Sequence, residues 1–211
     1  MYDLPYYKET DEETVKQFVR EHPFAFISGC DKDSKPVATQ VPVFIDEKVG
    51  KIFLTGHIMR NTDHHKAFAQ NSNVLAVFTG PHAYVSATWY DNPRQASTWN
   101  YMSVHAKGII RFGDEPALVA VLKRLSLHYE NNNTGSTTIF DNLPADYRDR
   151  LMKAIIAFEI EVTSMDHVFK LSQNRDEKSY DNIAKELKKQ GGNAQQIGEL
   201  MEQRKLKVFR S

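Results

Sequence analysis

The chain has 211 residues, of which 41% are hydrophobic, and its 27 basic side chains balance its 27 acidic ones. This length supports one sizeable core, and zero net charge excludes a general electrostatic attraction to nucleic acid or anionic membranes. The single cysteine, Cys30, excludes an internal disulfide framework. Because the N-terminal sequence MYDLPYYKETDEE is polar and acidic, and no apolar run is long enough to span a membrane, we expect a cytoplasmic protein without a signal peptide.

The first half of the chain begins with a helix and continues with short strands. Residues 11–22 place Val15, Phe18 and Val19 at helical spacing, and Pro23 ends this helix. A short helix is predicted near 61–69, with Asn61 or Thr62 as its N-cap. Turn residues, including Gly80-Pro81, separate the predicted strands. These are FAFISG (24–29), KPVATQVPVFI (35–45), KIFLTGH (51–57), NVLAVFTG (73–80) and HAYVSAT (82–88).

The second half contains two longer strands and most of the helices. Strands are predicted over 97–112 and 154–165, and a short helix over 144–153. Asp114 is the expected cap of an amphipathic helix whose buried stripe is Leu118, Val121, Leu122 and Leu125. Two helices, DEKSYDNIAKELKKQ and NAQQIGELMEQRK, are separated by Gly191-Gly192.

Six or seven short strands, mostly joined as hairpins, predict a mainly β fold with added helices. The pattern is typical of a small antiparallel barrel rather than of alternating β-α-β units. The sequence has no G-x-G-x-x-G after a strand and no G-x-x-x-x-G-K-[ST]. A nucleotide would therefore not be held as in Rossmann or P-loop proteins.

The segment TGHIMRNTDHHKAF (55–68) is a candidate anion site. Gly56 permits close backbone approach, Arg60 can bind a phosphate, and a helix N-terminus near Asn61 offers N–H groups. An ordinary strand-to-helix loop with a solvated arginine explains the same residues. The neighbouring histidines do not have the spacing of metal ligands, so no metal site is expected.

The strand STWNYMSVHAKG (97–108) carries the most unusual side chains. Alternation places Trp99, Tyr101 and His105 on one face and Asn100 on the other. The first face is too polar for a closed core and too aromatic for open solvent, which favours a subunit interface or a pocket. The preceding stretch 89–97, with Pro93, is interpreted as a hairpin loop.

Two C-terminal segments have competing interpretations. FKLSQNR (169–175) is a polar cluster or simply a loop in which Asn174, or else Asp176, caps the next helix. The final helix pair resembles a helix-turn-helix or is an amphipathic clamp, and the clamp is favoured. No nucleophile motif occurs, so whether the chain is an enzyme stays open, and a bound cofactor would carry any chemistry.

Five motifs in this order resemble the PaiB family, described as FMN-binding negative transcriptional regulators: TGHIMRN, FTGPHAYVSATWY, STWNYMSVHAKG, AIIAFEIEVT and FKLSQNR. The resemblance runs from the N-terminal MYDLPYYKE to about residue 190. It implies an FMN-binding split β-barrel of antiparallel Greek-key type, related to pyridoxamine 5′-phosphate oxidase. Such proteins are typically homodimers with FMN at the subunit interface.

The resemblance also implies which residues contact FMN. The phosphate is expected at Thr55, Gly56, His57, Arg60 and Asn61, although many relatives have lysine in place of Arg60. The isoalloxazine ring is expected along Thr39, Gln40 and Val41, and the partner subunit is expected to add Trp99, Asn100 and Tyr101. Lys170, Gln173 and Asn174 would close the site. Because alternation turns Asn100 away from its neighbours, we expect Trp99 and Tyr101 to be the ring-side pair.

Three functional hypotheses follow. The first is a transcriptional regulator or flavin-dependent sensor, with DNA as a possible partner through Lys185, Lys188, Lys189, Arg204 or Lys205. The second is a flavin oxidoreductase of unknown substrate. The third is a haem-binding split barrel with His57, His105 or His167 as axial ligand. In each case residues 1–172 form the barrel domain, and 173–211 a helical extension packed on it.

Overall fold

The computed structural model of the chain describes residues 1–92 and 94–210, so Pro93 of the predicted hairpin loop lies outside the described residues. Short 3₁₀ turns occur at Pro5–Tyr7, Ala87–Trp89 and Phe140–Asn142. The helices are α1 (Glu12–Glu21), α2 (Asp63–Gln70), α3 (Glu115–Tyr129), α4 (Ala145–Met152), α5 (Glu177–Lys188) and α6 (Gly192–Phe209). The strands are β1 (Phe24–Cys30), β2 (Pro36–Pro42), β3 (Phe44–Lys48), β4 (Lys51–Met59), β5 (Asn73–Val85), β6 (Thr98–Phe112) and β7 (Ile155–Lys170).

The strands form a seven-stranded sheet in the order β2-β1-β5-β6-β7-β4-β3. Strand β1 pairs antiparallel with β2 and β5, and β4 pairs antiparallel with β3 and β7. The prediction of an antiparallel, mainly β architecture decorated by helices is confirmed. None of the described helices is both long and apolar enough to cross a membrane.

The chain divides into two compact units. The first unit comprises residues 1–22, 79–104 and 166–211, and the second comprises 23–78 and 105–165. The predicted domain boundary between residues 172 and 173 stays a prediction.

The core of the second unit comes from strand alternation. In β1 and β4, alternate residues such as Ala25, Ile27 and Leu54 are fully buried. Gly56 lies on this buried face, where a Cβ atom would come within 2.9 Å of the Phe158 ring and 3.0 Å of the Pro42 carbonyl oxygen. Glycine is therefore required at this position by packing.

The core of the first unit is largely helical. Helix α1 begins at Asp11, whose carboxylate accepts hydrogen bonds from the N–H groups of Glu13 and Thr14, and it buries Val15, Phe18 and Val19 as predicted. Helices α5 and α6 bury Ile183, Leu187, Ile197 and Met201, so the clamp interpretation of this pair agrees with its packing.

Strand β5 corrects the predicted turn at Gly80-Pro81, because it runs without interruption from Asn73 to Val85. A Cβ atom on Gly80 would lie 2.6 Å from the Phe18 ring. Glycine makes room there for a helix side chain, and its role is packing rather than chain reversal.

Two further predictions need correction. The segment predicted as one strand over 35–45 is two strands, β2 and β3, separated at Val43, whose N–H donates to the Pro23 carbonyl. In α3 the predicted stripe is incomplete, since Leu118 is buried whereas Val121, Leu122 and Leu125 are only half-buried. A cavity of about 570 Å³ lies along this helix and is lined in part by Ala117, Ala120 and Val121.

Candidate functional site

The predicted site residues fall into two sets, one in each unit. Thr39, Gln40 and Val41 on β2, and Thr55 to Asn61 at the end of β4, belong to the second unit. Trp99, Asn100, Tyr101, Lys170, Gln173 and Asn174 belong to the first. Each set is described below by itself.

The end of β4 is fixed by hydrogen bonds from Arg60. Its backbone N–H donates to the Ala154 carbonyl at 2.8 Å, and its Nε donates to the Ile155 carbonyl at 2.8 Å. In the part of the chain that the structure describes, no hydrogen bond engages the two terminal nitrogens of the guanidinium. The N–H groups of these two nitrogens can therefore donate hydrogen bonds to an anionic ligand.

The N–H groups at the start of α2 are mostly used by the chain itself. Thr62 is the N-cap, and its hydroxyl accepts from the His65 N–H. The Asn61 N–H donates to His65 Nδ1 at 3.2 Å, and the His64 N–H to the Asp63 carboxylate at 2.8 Å. Asn61 adopts a left-handed conformation with φ of 64°, which asparagine tolerates better than most residues. The helix N-terminus therefore offers less to an anion than the sequence suggested.

His57 is a half-buried imidazole with one buried ring nitrogen that has no partner among the described residues. Its Nδ1 is buried, and among the described residues it has no hydrogen-bond partner. Burial lowers the pKa of His57, so the ring is neutral near pH 7. A buried polar atom without a partner costs about 1–3 kcal/mol, which a ligand hydroxyl or N–H donor would recover.

The β2 segment lies beside this strand. Gln40 is exposed and Thr39 and Val41 are half-buried. The Pro42 carbonyl, one residue beyond Val41, is the group that approaches Gly56. The structure thus brings the two predicted segments of the second unit together. Gln40 is paired with Phe26, which is 41% exposed, and Phe24 on the same β1 face is 61% exposed.

In the first unit, β6 has the predicted alternation. Trp99 is 53% exposed and Tyr101 is half-buried, whereas Asn100 is fully buried. The Asn100 side chain accepts from the Ser172 hydroxyl at 3.0 Å, and its Nδ2 lies 3.5 Å from Met201 Sδ. The Trp99 ring lies 6.0 Å from the Tyr84 ring. The expectation that Asn100 serves the interior agrees with this placement.

The FKLSQNR segment is held mainly by its own hydrogen bonds. Gln173 accepts from the Leu171 N–H at 2.7 Å and donates to the Phe169 carbonyl at 2.5 Å, and Asn174 is exposed. Asp176 caps α5 by accepting from the Ser179 N–H. Lys170 behaves differently, because its Nζ reaches β6 and donates to Thr98 Oγ1 and, at 2.7 Å, to the Trp99 carbonyl. Of the three predicted residues in this segment, Lys170 is the one placed against β6.

Sequence reasoning missed the tyrosines around Lys170. The Tyr2 ring lies 5.9 Å from Lys170 Nζ, and the Arg175 guanidinium lies 4.3 Å from the Tyr90 ring. Burial raises the pKa of Tyr7 to about 12. Tyr2 and Lys170 are far apart in sequence, and no local pattern indicates that they meet.

Among the haem-ligand candidates, His167 already has a partner, because its Nε2 accepts from the Glu9 N–H at 2.7 Å. His57 has no such partner within the described residues. Within residues 1–92 and 94–210, no group of three or more His, Cys, Asp or Glu side chains could hold a metal ion.

Two solved structures share this fold, and their names describe proteins that contain flavin and haem. The flavocytochrome Anf3 of Azotobacter vinelandii is 17% identical, with a TM-score of 0.54 over 85% of this chain and 77% of that one. The FAD and heme binding protein of Mycobacterium smegmatis is 16% identical, with a TM-score of 0.52 over 77% of this chain and 72% of that one. These likenesses show a shared fold, the split β-barrel.

Sequence comparison narrows this class to one family. Residues 1–164 match the family model described as "Putative FMN-binding domain". The protease synthase and sporulation protein PAI 2 of Bacillus subtilis is 32% identical over 203 residues, which are 96% of this chain and 97% of that protein. The chain therefore belongs to the PaiB family of FMN-binding-domain proteins, and the cofactor of this family is FMN. The unsatisfied His57 nitrogen and the free Arg60 nitrogens fit such a group, which carries hydroxyls and a phosphate.

Proposed function

We propose that the chain is a flavin-dependent sensor that binds FMN as a homodimer and serves a regulatory role. The observation that carries this proposal is the outer face of β6, where Trp99 is exposed while its neighbour Asn100 is fully buried. An exposed indole on a rigid strand suits stacking against a flat ring system. When bound, FMN supplies redox chemistry, and the residues of this chain bind it, orient it and exclude water.

Arg60 and His57 are the residues that we propose for the polar part of FMN. Arg60 is anchored through Nε, which leaves its outer nitrogens for phosphate oxygens. The neutral His57 ring is suited to accept a hydrogen bond from a hydroxyl group. We propose no ligand role for the N–H groups at the start of α2 that the chain itself uses.

A homodimer is supported by the exposed β1 face. Phe24 and Phe26 are 61% and 41% exposed and stand on the same side of the strand. Large exposed apolar side chains that lie together mark interaction surfaces more often than isolated ones. Phe24→Glu and Phe26→Glu should convert a dimer to monomers in light scattering, whereas Val49→Glu, at a fully exposed turn, should leave it intact. Dimers that persist in both phenylalanine variants would remove this face from the proposal.

Direct reading of DNA by the C-terminal helices has little support. Lys188 lies 2.8 Å from Glu202, Lys189 lies 2.5 Å from Glu186, and Lys205 lies 2.7 Å from Asp181. Arg204 is paired with Glu9. Cations that are already neutralised release few counterions on binding DNA, so we propose that regulation acts through flavin state or a protein partner. DNA binding that weakens steeply with salt and requires Lys185 would contradict this.

The test of flavin binding is a visible spectrum of the purified protein followed by a titration with FMN. Trp99→Ala should weaken FMN binding at least about tenfold, given about 1.5 kcal/mol for a stacked ring pair. Tyr129→Ala is the matched control, because Tyr129 is an aromatic residue of similar exposure, 52%, and is not among the proposed FMN contacts. Protein that neither carries nor takes up flavin would refute the proposal, and a haem spectrum would favour the haem-binding alternative. Bleaching of bound FMN by NAD(P)H, with turnover, would favour the oxidoreductase alternative.

A further inference from the structure

Lys170 and Arg175 are two cations of the first unit that lack a carboxylate partner among the described residues. Lys170 is only 8% exposed, and its Nζ donates to a hydroxyl and a carbonyl, both neutral acceptors. Among the described residues, no ion pair includes Lys170 or Arg175. Other cations in the same unit are paired: Lys178 with Asp91, and Lys205 with Glu177 at 3.0 Å.

This arrangement is electrostatically unfavourable in the absence of an anion. Burial lowers the pKa of Lys170, and the positive charge of Arg175 lowers it further. A buried charge normally has an opposite charge or a full set of hydrogen bonds. Lys170 has three N–H donors and uses two of them, so one donor remains available.

Each of the two cations lies beside an aromatic ring. Arg175 lies against the Tyr90 ring, and Lys170 Nζ lies 5.9 Å from the Tyr2 ring. Burial raises the pKa of Tyr101, and the nearby Tyr2 raises it further, so the Tyr101 phenol is a protonated hydrogen-bond donor at neutral pH. Tyr2 is 52% exposed, so this side of the cluster is open to solvent. Cations beside rings and hydroxyls make a site for a flat molecule with one negative end.

We propose that Lys170 and Arg175 bind the oxyanion, a carboxylate or phosphate, of a second ligand with a flat apolar body. The proposal rests on the proposed function in one respect, the position of this ligand beside the flavin. Trp99 is the proposed contact of the flavin ring, and its carbonyl oxygen accepts a hydrogen bond from Lys170. The FMN phosphate is a different anion, which we place at Arg60 of the second unit. The cluster thus gives the sensor a recognition site for an aromatic acid or an aromatic phosphate ester.

The experiment uses the flavin-free full chain titrated with benzoate and, separately, phenyl phosphate, at ionic strength held constant with chloride. Tryptophan fluorescence is the readout, because the Trp99 carbonyl shares a hydrogen bond with Lys170. Lys170→Met and Arg175→Gln should each weaken binding of the preferred probe by roughly tenfold or more, as expected for a lost charge-assisted hydrogen bond. Lys170→Arg should retain most of the affinity, and Lys178→Met, which removes a paired cation, should leave it unchanged.

The tighter of the two probes identifies the source of the oxyanion. No response beyond that of chloride, or equal losses in Lys170→Met and Lys178→Met, would overturn the proposal.

Parallel titrations with FMN and riboflavin separate binding of the second ligand from flavin binding. If Lys170→Met or Arg175→Gln weakens FMN but not riboflavin, the cluster holds the flavin phosphate and the inference is wrong. If the unmodified protein binds benzoate or phenyl phosphate but no flavin, the proposed function fails and the anion site stands. Arg175 is only half-buried, so its variant keeps the test valid if Lys170→Met does not fold.

Discussion

Glu9 is expected to be one of the most sensitive positions for stability in the first unit. Its carboxylate is 1% exposed, forms ion pairs with Arg204 and Lys207, and accepts from the N–H groups of Thr10 at 2.9 Å and Asp11 at 3.1 Å. Burial alone would raise the pKa of Glu9, but the hydrogen bonds from Lys207 and Arg204 outweigh it and lower the pKa from 4.5 to about 2. At about 1.4 kcal/mol per pKa unit, the ionised carboxylate contributes about 3 kcal/mol.

Glu9→Gln removes this charge and leaves two cations facing a neutral amide. We expect the free energy of unfolding in urea at pH 7 to fall by about 3 kcal/mol, which corresponds to roughly 6–12 °C in Tm for a chain of this size. Glu12 lies in the first turn of α1 with an exposed side chain, so Glu12→Gln should change the free energy of unfolding by less than about 0.5 kcal/mol.

The pH dependence provides a second measurement of the same quantity. Because the folded pKa of Glu9 lies below the unfolded value, its contribution is complete above 4.5 and is lost as pH falls towards about 2. The Glu9→Gln protein should lack this part of the acid destabilisation. A variant within about 0.5 kcal/mol of the parent, with the same acid profile, would refute the reasoning.

Three other outcomes follow from the packing and from the titration of one histidine. Gly80→Ala should cost about 1–3 kcal/mol in urea unfolding, because the added Cβ would lie 2.6 Å from the Phe18 ring, and a second change, Phe18→Leu, should recover part of it. A neutral Gly80→Ala would disprove the close contact. In NMR titrations the pKa of His57 should lie below its ordinary value of 6.5. The unfolded chain then takes up this proton at a higher pH than the folded chain does, so the protein loses stability as pH falls through 6.5. A measured pKa at or above 6.5 would contradict the burial of the ring. Ile197→Ala should cost about 2–5 kcal/mol since the side chain is fully buried, and Leu206→Ala, 59% exposed on the same helix, should cost far less; equal losses would contradict the assigned face of α6.

Most elements of this fold could be predicted from the sequence because their signals are local. Caps at Asp11, Asp114 and Asp176 and the alternation in β6 depend only on neighbouring residues. Gly80 was misinterpreted because the sequence signal for a turn is the same as the signal for a position where another element comes close. The approaching element is α1, about sixty residues earlier, and nothing local indicates it.

The site shows the same division between local and long-range information. Alternation alone separated Trp99 from Asn100, and burial agrees with it. The proximity of Tyr2 to Lys170, and the lack of an ion pair to Lys170 among the described residues, depend on contacts across most of the chain. Composition and spacing carry no information about such contacts.

The ion cluster of Glu9, Arg204 and Lys207 has a consequence for the order in which the chain matures. Glu9 is separated from its two partners by 195 and 198 positions. During synthesis from the N-terminus, the segment containing Glu9 leaves the ribosome long before α6 exists. The N-terminal segment therefore cannot reach its final environment until the last helix of the sequence has been translated. A ribosome stalled before Arg204 should hold a nascent chain whose N-terminal residues remain accessible to protease.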